Sequence, residues 1–396
     1  MNSRVICRVF AVFFLSTFFF SLPATFVHIF IHGTTLPGFL LLNQANSDKS
    51  IKFEGRLAAL IDKTRDDTRF YDDSIMLDRG LIHIDKKLIF KCKNYQLPKD
   101  LARRAAIQAI AAYDDFVDQR HQNFYYLYGW SGSLSDTIRK NEAEKLYDEM
   151  IKIQNKFPKD SVKFFLHGHS HGGTMILYLG LYEEQKKQGL VIDHAMLYET
   201  PVQVETAKYC LSPIFKNVSL IYSKGDFIQT ADCFSTSGGK SYRTFSELIQ
   251  LDDAQNRVHE VLLKVDGDEK KLHHRSYFFF DAYYGVTTIH RDILSKNSAV
   301  EFINPLPLVV FSPVFMMLLQ SVVPRQHVVC AELDIRTSYQ ACVIQVLVPG
   351  CVQLYSTNLW QSVMNIRDRI SRSWRLYAKT SDIKKVFWLG EHLILR

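Results

Sequence analysis

The chain has 396 residues, 47% of them hydrophobic and 22% charged, with a formal net charge of +7. This composition excludes collagen-like, low-complexity and disordered chains, and the length suits one large α/β domain with additions, or two domains. Residues 301–396 hold ten Lys/Arg against six Asp/Glu, a surplus of 10 − 6 = 4, which is too dilute for the dense basic patch of a nucleic-acid binder and better matched to a membrane surface.

Arg4 and Arg8 open the chain, and residues 9–27 carry no charge. A basic start before a phenylalanine-rich apolar run reads as a secretory signal peptide or an uncleaved membrane anchor over residues 1–24. Ala24 suits the last residue removed by cleavage, whereas Leu22 is larger than usual at the third position back; the plain alternative is a first core strand. Phe26, Val27, His28, Ile29, Phe30 and Ile31 mix branched and aromatic side chains as a buried parallel strand does, and run into His32, Gly33, Thr34 and Thr35. From residue 36 to 100 the periodic signal fades, except for a short strand over residues 80–85, and the stretch reads as an insertion or flap. Residues 101–117 form a helix on Leu101, Ile107, Ile110, Ala111 and Tyr113, and residues 123–128 form the next strand. That strand ends in Gly129, Trp130, Ser131 and Gly132, which lack a second glycine at the right spacing and precede a polar turn. Trp130 either lines a pocket there or packs in the core. Ser135 or Asp136 then caps a helix whose core stripe is Ala143, Leu146, Tyr147 and Met150.

The densest chemical signal follows. Residues 162–166 are an apolar run of strand length, and residues 174–182 are apolar with Gly180 as the sole breaker, as in a buried helix. Between them lie His167, Gly168, His169, Ser170, His171, Gly172 and Gly173, so Gly168-x-Ser170-x-Gly172 sits where a strand turns into a helix. A nucleophile on so tight a turn has a strained backbone, and flanking glycines relieve the crowding. The N–H of His171 then lies at a helix N-terminus, where it can face a developing oxyanion.

Residues 167–173 resemble the nucleophile elbow of bacterial triacylglycerol lipases and esterases in the α/β-hydrolase superfamily. The resemblance spans roughly residues 26–280. It implies an α/β-hydrolase fold, a mostly parallel sheet with helices on both faces, and a triad in the order serine, acid, histidine. His32 to Thr35 resemble the oxyanion loop of the same lipases, which assigns the second oxyanion donor to the backbone near Thr34 and leaves His32 a supporting role. Serine at the elbow, rather than aspartate, argues against the dehalogenase and epoxide-hydrolase branches. The departures are the long 36–100 segment and residues 300–396, which have no lipase counterpart.

Residues 191–198 and 217–223 read as further strands, and residues 258–265 as the last strand of the sheet. A serine hydroxyl needs a base oriented by a carboxylate. Asp226 follows a clear strand by three residues, with Gly225 allowing the turn, and is the expected acid; Glu199, one strand earlier, is the alternative. The base comes from the loop beyond residue 265, as His274 or its neighbour His273. The resemblance favours His274, which opens a polar turn before Tyr277; His290 lies too far into the next helix. His167, His169 and His171 alternate like metal ligands on a strand, yet the elbow turns the chain within them and points them apart, so no metal or cofactor is expected.

Residues 303–323 and 337–366 carry no charge but are broken by prolines, and read either as membrane-inserted hairpins or as a second buried layer. Ile366, Ile370, Trp374 and Tyr377 form one stripe of a helix with Arg372, Arg375 and Lys379 opposite, docked on the domain or lying on anionic lipid. Seven cysteines without a CxxC spacing leave no zinc ribbon or redox motif. The expected organisation is therefore a signal or anchor (1–24), an α/β-hydrolase domain (25–300) and an apolar, helical C-terminal extension (301–396). The expected activity is cleavage of carboxylic esters, small or lipid, by an exported or membrane-anchored serine hydrolase with no nucleic-acid partner. An acyltransferase or thioesterase with the same triad, or an inactive membrane-bound interaction protein, are the alternatives.

Overall fold

Runs of β-branched and aromatic residues, closed by Gly, Asp or Thr, pair into a single ten-stranded sheet. The computed structural model describes residues 24–33, 80–93, 110–130, 136–158, 161–231, 236–251, 257–265, 330–336, 341–346 and 353–355, apart from isolated positions. The strands are β1 (Thr25–Ile31), β2 (Gly80–Ile84), β3 (Gln122–Gly129), β4 (Val162–His169), β5 (Ile192–Tyr198), β6 (Val218–Tyr222), β7 (Val258–Val265), β8 (Cys330–Arg336), β9 (Ala341–Val346) and β10 (Gln353–Tyr355). Their order across the sheet is β10-β9-β8-β7-β6-β5-β4-β1-β3-β2. The seven strands from β8 to β3 run parallel, while β2, β9 and β10 each pair antiparallel with their inner neighbour. The helices are α1 (Lys86–Lys93), α2 (Asp136–Gln154), α3 (His171–Lys186), α4 (Val204–Ala207), which runs into a 3₁₀ turn (Lys208–Leu211), and α5 (Ile228–Ala231). This is a mostly parallel α/β arrangement.

The two faces of the sheet differ in chemistry. Val27, Ile29, Ile31, Leu166, Leu197 and Leu220 point to one side, where Ala143, Leu146, Tyr147 and Met150 of α2 and Met175, Ile176 and Leu179 of α3 pack on them. The expected stripe of α2 is thus its buried face. Helix α3 is buried almost all round, as its near-continuous apolar sequence requires. Truncating Leu177, fully buried in α3, to alanine would cost about 2–5 kcal/mol.

The opposite face carries a row of buried polar rings. His28, His167, His194 and His259 come from β1, β4, β5 and β7, and all are almost inaccessible to solvent. The register aligns His28 with Tyr125 and Phe165, and Ser219 with His259. His28 stacks on Tyr125 and on Phe165 at 5.1 Å, and its ring nitrogens bond Asn123 Oδ1 (3.1 Å) and the Tyr113 hydroxyl (3.0 Å). Tyr113 lies among the helical residues Ile110, Ala111 and Asp114, so helical chain covers this face too.

Two expectations change. β7 is not the last strand: β8 continues the parallel order beyond it, tied by an ion pair between Lys264 Nζ and Glu332 Oε2 at 2.7 Å. The C-terminal region, expected to be a helical extension, supplies β8, β9 and β10. The reason is visible afterwards in residues 330–336, where Ala331, Leu333 and Ile335 alternate with Glu332, Asp334 and Arg336 at the period of a strand. The short strand expected at residues 80–85 is β2, paired antiparallel at the sheet edge and followed by α1. Residues 1–23, 303–323 and 366–379 lie outside the described residues, among which no helix is long and apolar enough to cross a membrane.

Candidate active site

Strand β1 lies between β3 and β4, so the chain runs from β1 to one side and then returns to the other. Parallel sheets open a crevice at such a reversal, beyond the carboxyl ends of the two strands. Ser170 immediately follows β4 there, and Gly33 lies just past β1.

Ser170 alone makes the turn from β4 into α3. Its φ of 52° and ψ of −128° are far from the helical and strand basins. A side chain bearing a Cβ holds such a conformation at a cost of about 1–3 kcal/mol, and it persists where the surroundings enforce it. Here the Ser170 N–H donates to Tyr198 O of β5 at 2.8 Å, and Gly173 N–H donates to Ser170 O at 2.9 Å. The hydroxyl makes no capping bond to the helix it precedes. The flanking glycines are needed for contact: a Cβ on Gly172 would lie 2.6 Å from the carbonyl oxygens of Ile31 and His32, and one on Gly168 would lie 2.6 Å from Gly173 N. His171 opens α3, in the first turn whose N–H groups have no acceptor within the helix.

The loop after β1 is held against this turn. A Cβ on Gly33 would come 2.8 Å from Ser170 Cβ. Trp130 N–H donates to His32 Nε2 at 3.3 Å, so the ring proton resides on Nδ1, which donates to Gly33 O at 2.7 Å. Trp130 Nε1–H in turn donates to His32 O at 2.8 Å, and the two rings stack at 5.6 Å. Trp130 is fully buried and acts as a clamp on this loop rather than as an exposed pocket wall. His32 supports the loop and is not placed as a base. Thr34 lies outside the described residues.

Both candidate acids are buried at the carboxyl ends of neighbouring strands. Glu199 follows β5 directly, with φ 47°, and its N–H donates to Ile221 O at 2.8 Å. Of the three non-glycine residues with positive φ among those described, two are Ser170 and Glu199, side by side at the sheet edge. Asp226 ends the turn after β6, and its Oδ1 accepts the Gln229 N–H at 3.1 Å. Burial, and then the charge of Asp226, push the Glu199 carboxyl well above the usual carboxylate range.

His273, His274 and His290 lie outside the described residues. Of the alternating histidines, His167 is sealed on the sheet face, stacked at 4.7 Å on Phe30, with no hydrogen-bond partner for either ring nitrogen among the described residues; burial, then the charges of His28 and His194, hold it well below its ordinary value. His169 lies beside Gly33, and His171 has moved onto α3 with Nδ1 3.4 Å from Thr174 Oγ1. No group of three His, Cys, Asp or Glu side chains able to hold a metal ion occurs among the described residues. Sequence reasoning missed Gln229 and the histidine row; the row was signalled only by one buried-pattern histidine in each of four strands. No family model, curated protein or solved structure matches the chain.

Proposed function

We propose that the protein is a serine hydrolase of the α/β-hydrolase type that cleaves carboxylic esters. The observation that carries this reading is Ser170, held at φ 52° as the single residue between β4 and α3, in the crevice where the sheet order reverses and against the Gly33 loop. Such a residue is strained for a purpose other than helix capping.

On this reading Ser170 Oγ attacks the ester carbonyl carbon while the imidazole of His274, or of His273, takes its proton. Asp226 holds that imidazole in orientation; Glu199, whose carboxyl burial pushes well above the usual carboxylate range, is the alternative acid. The carbonyl oxygen, now anionic, receives the His171 N–H and an N–H near Thr34. Each such donor contributes about 10²–10³-fold in rate. The tetrahedral intermediate expels the alcohol, which takes the proton from the imidazole. Water then hydrolyses the acyl-serine by the same route.

The basic, apolar residues 1–24 support export or anchoring, with lipid esters at a membrane surface as the natural substrate class. A panel of p-nitrophenyl esters of graded chain length tests the activity: turnover is expected in the wild type and lost in Ser170→Ala. Equal turnover in the two would refute the assignment. N-terminal sequencing of the purified protein tests the location, with a start near Thr25 expected for cleavage.

A further inference from the structure

We propose that Gln229 is a positioning residue that locks the acid loop to the nucleophile turn, an inference that rests on Asp226 being the triad acid. Gln229 is fully buried in α5 and bonds in four directions. Its backbone N–H donates to Asp226 Oδ1 at 3.1 Å. Its side-chain Nε2 donates to Thr200 O at 2.7 Å and to Arg243 O at 3.1 Å, and its backbone carbonyl accepts the Ser241 hydroxyl at 2.6 Å.

These contacts close a ring around the acid. Arg243 Nη2 donates back to Asp226 O at 3.1 Å, so Asp226, Gln229 and Arg243 hold one another in place. Thr200 joins this ring to the nucleophile. Its side chain walls the first turn of α3, where a Cβ on Gly173 would come within 1.9 Å of Thr200 Oγ1. It also follows Glu199, whose neighbour Tyr198 accepts the Ser170 N–H. The backbone pairing of Val202 with Tyr242, the residue before Arg243, fixes the two outer segments to each other. Beyond the β5–β6 backbone pairing, the Gln229 amide is a direct side-chain tie between the segment after β5 and the acid loop.

Geometry at this level sets rates. A misplacement of ~1 Å remote from the reacting bond costs about 10²-fold, and outright loss of the acid in a serine triad costs about 10⁴-fold. Loosening the acid also changes the base. Lengthening an ion pair from about 4 to about 5 Å weakens its attraction by about a fifth, which at an effective dielectric of 20 lowers the imidazole pKa by about 0.6 units.

The test is the pH–rate profile of full-length Gln229→Met, which keeps the side-chain length and removes both amide donors, measured on p-nitrophenyl butyrate. The expected result is a kcat about 10–100-fold lower, a KM within about threefold, and an acidic limb of kcat/KM shifted about 0.5 units to lower pH. Arg243→Met, at a half-buried position, removes the other arm of the ring and should move the limb in the same direction. A kcat within about twofold of wild type, or a slower enzyme with an unmoved limb, would overturn the proposal. If Gln229→Met does not fold, the limb of Arg243→Met decides alone: a shift sustains the ring and no shift overturns it. A wild-type protein without esterase activity refutes the functional reading itself, and this inference with it.

Discussion

Replacing His167 by phenylalanine should make the protein more resistant to acid by an amount that can be worked out beforehand. The imidazole is fully buried, stacked on Phe30 and edge-on to Tyr113 at 4.9 Å, and makes no hydrogen bond among the described residues. Its ordinary value of 6.5 applies to the unfolded chain, whereas burial holds the folded imidazole neutral well below that. The folded value is depressed, so stability is intact above pH 6.5 and is lost as pH falls, because only the unfolded chain takes up the proton. At pH 5 the unfolded imidazole is almost fully protonated, 1.5 units below its ordinary value, which destabilises the fold by about 2 kcal/mol relative to pH 7. Other groups also respond: His28 and His194, pulled down by burial to about 4 and about 3, add to the loss. Glu199 and Glu260, pushed up mainly by burial, oppose it, since their folded forms hold protons more tightly. Those contributions are common to both proteins and, apart from the coupling of His28 and His194 to His167, cancel in the comparison. Urea unfolding of wild type and His167→Phe at pH 7, 6 and 5 should therefore give a stability difference that widens in favour of the variant by about 2 kcal/mol between pH 7 and pH 5. A difference that stays constant with pH would refute the picture of a sealed, neutral imidazole.

Ser170→Gly should remove turnover yet raise stability by about 1 kcal/mol, since glycine holds φ 52° without strain; a drop in the thermal midpoint would contradict the strained turn. Gly172→Ala should destabilise by about 1–3 kcal/mol and impair catalysis, because its Cβ would press on the Ile31 and His32 carbonyls, which are backbone and cannot swing away. Asp226→Asn should cost about 10³–10⁴-fold in kcat, whereas Glu199→Gln should stay within about threefold, since burial pushes the glutamate carboxyl toward its neutral form. A healthy Asp226→Asn beside a dead Glu199→Gln would transfer the acid role to Glu199.

The parts legible in the sequence were those whose signal is local. The strands β1, β3, β4, β5 and β6 are apolar or aromatic runs with turn residues at their ends, and the elbow combines a motif with the strand and helix that give it meaning. Strand β8 was missed because its three charges obscured a period-2 alternation. The histidine row could not be assembled without the register, since a one-residue slip of any strand would turn its histidine to the other face. Gln229 offers no pattern at all: a single amide in a polar loop matters only once the fold brings Thr200 and Arg243 to it. The clamp between Trp130 and His32 likewise joins residues 98 positions apart, and only the sheet order makes them neighbours.

The central claim is that Ser170 is an activated nucleophile, and covalent labelling tests it most directly. Incubating the full-length protein with a fluorophosphonate probe, followed by digestion and mass spectrometry, should give one stoichiometric adduct on the peptide containing Ser170. That adduct should be absent from Ser170→Ala and strongly slowed in Asp226→Asn. A folded wild-type protein that takes up no probe, or carries it on another residue, would contradict the account.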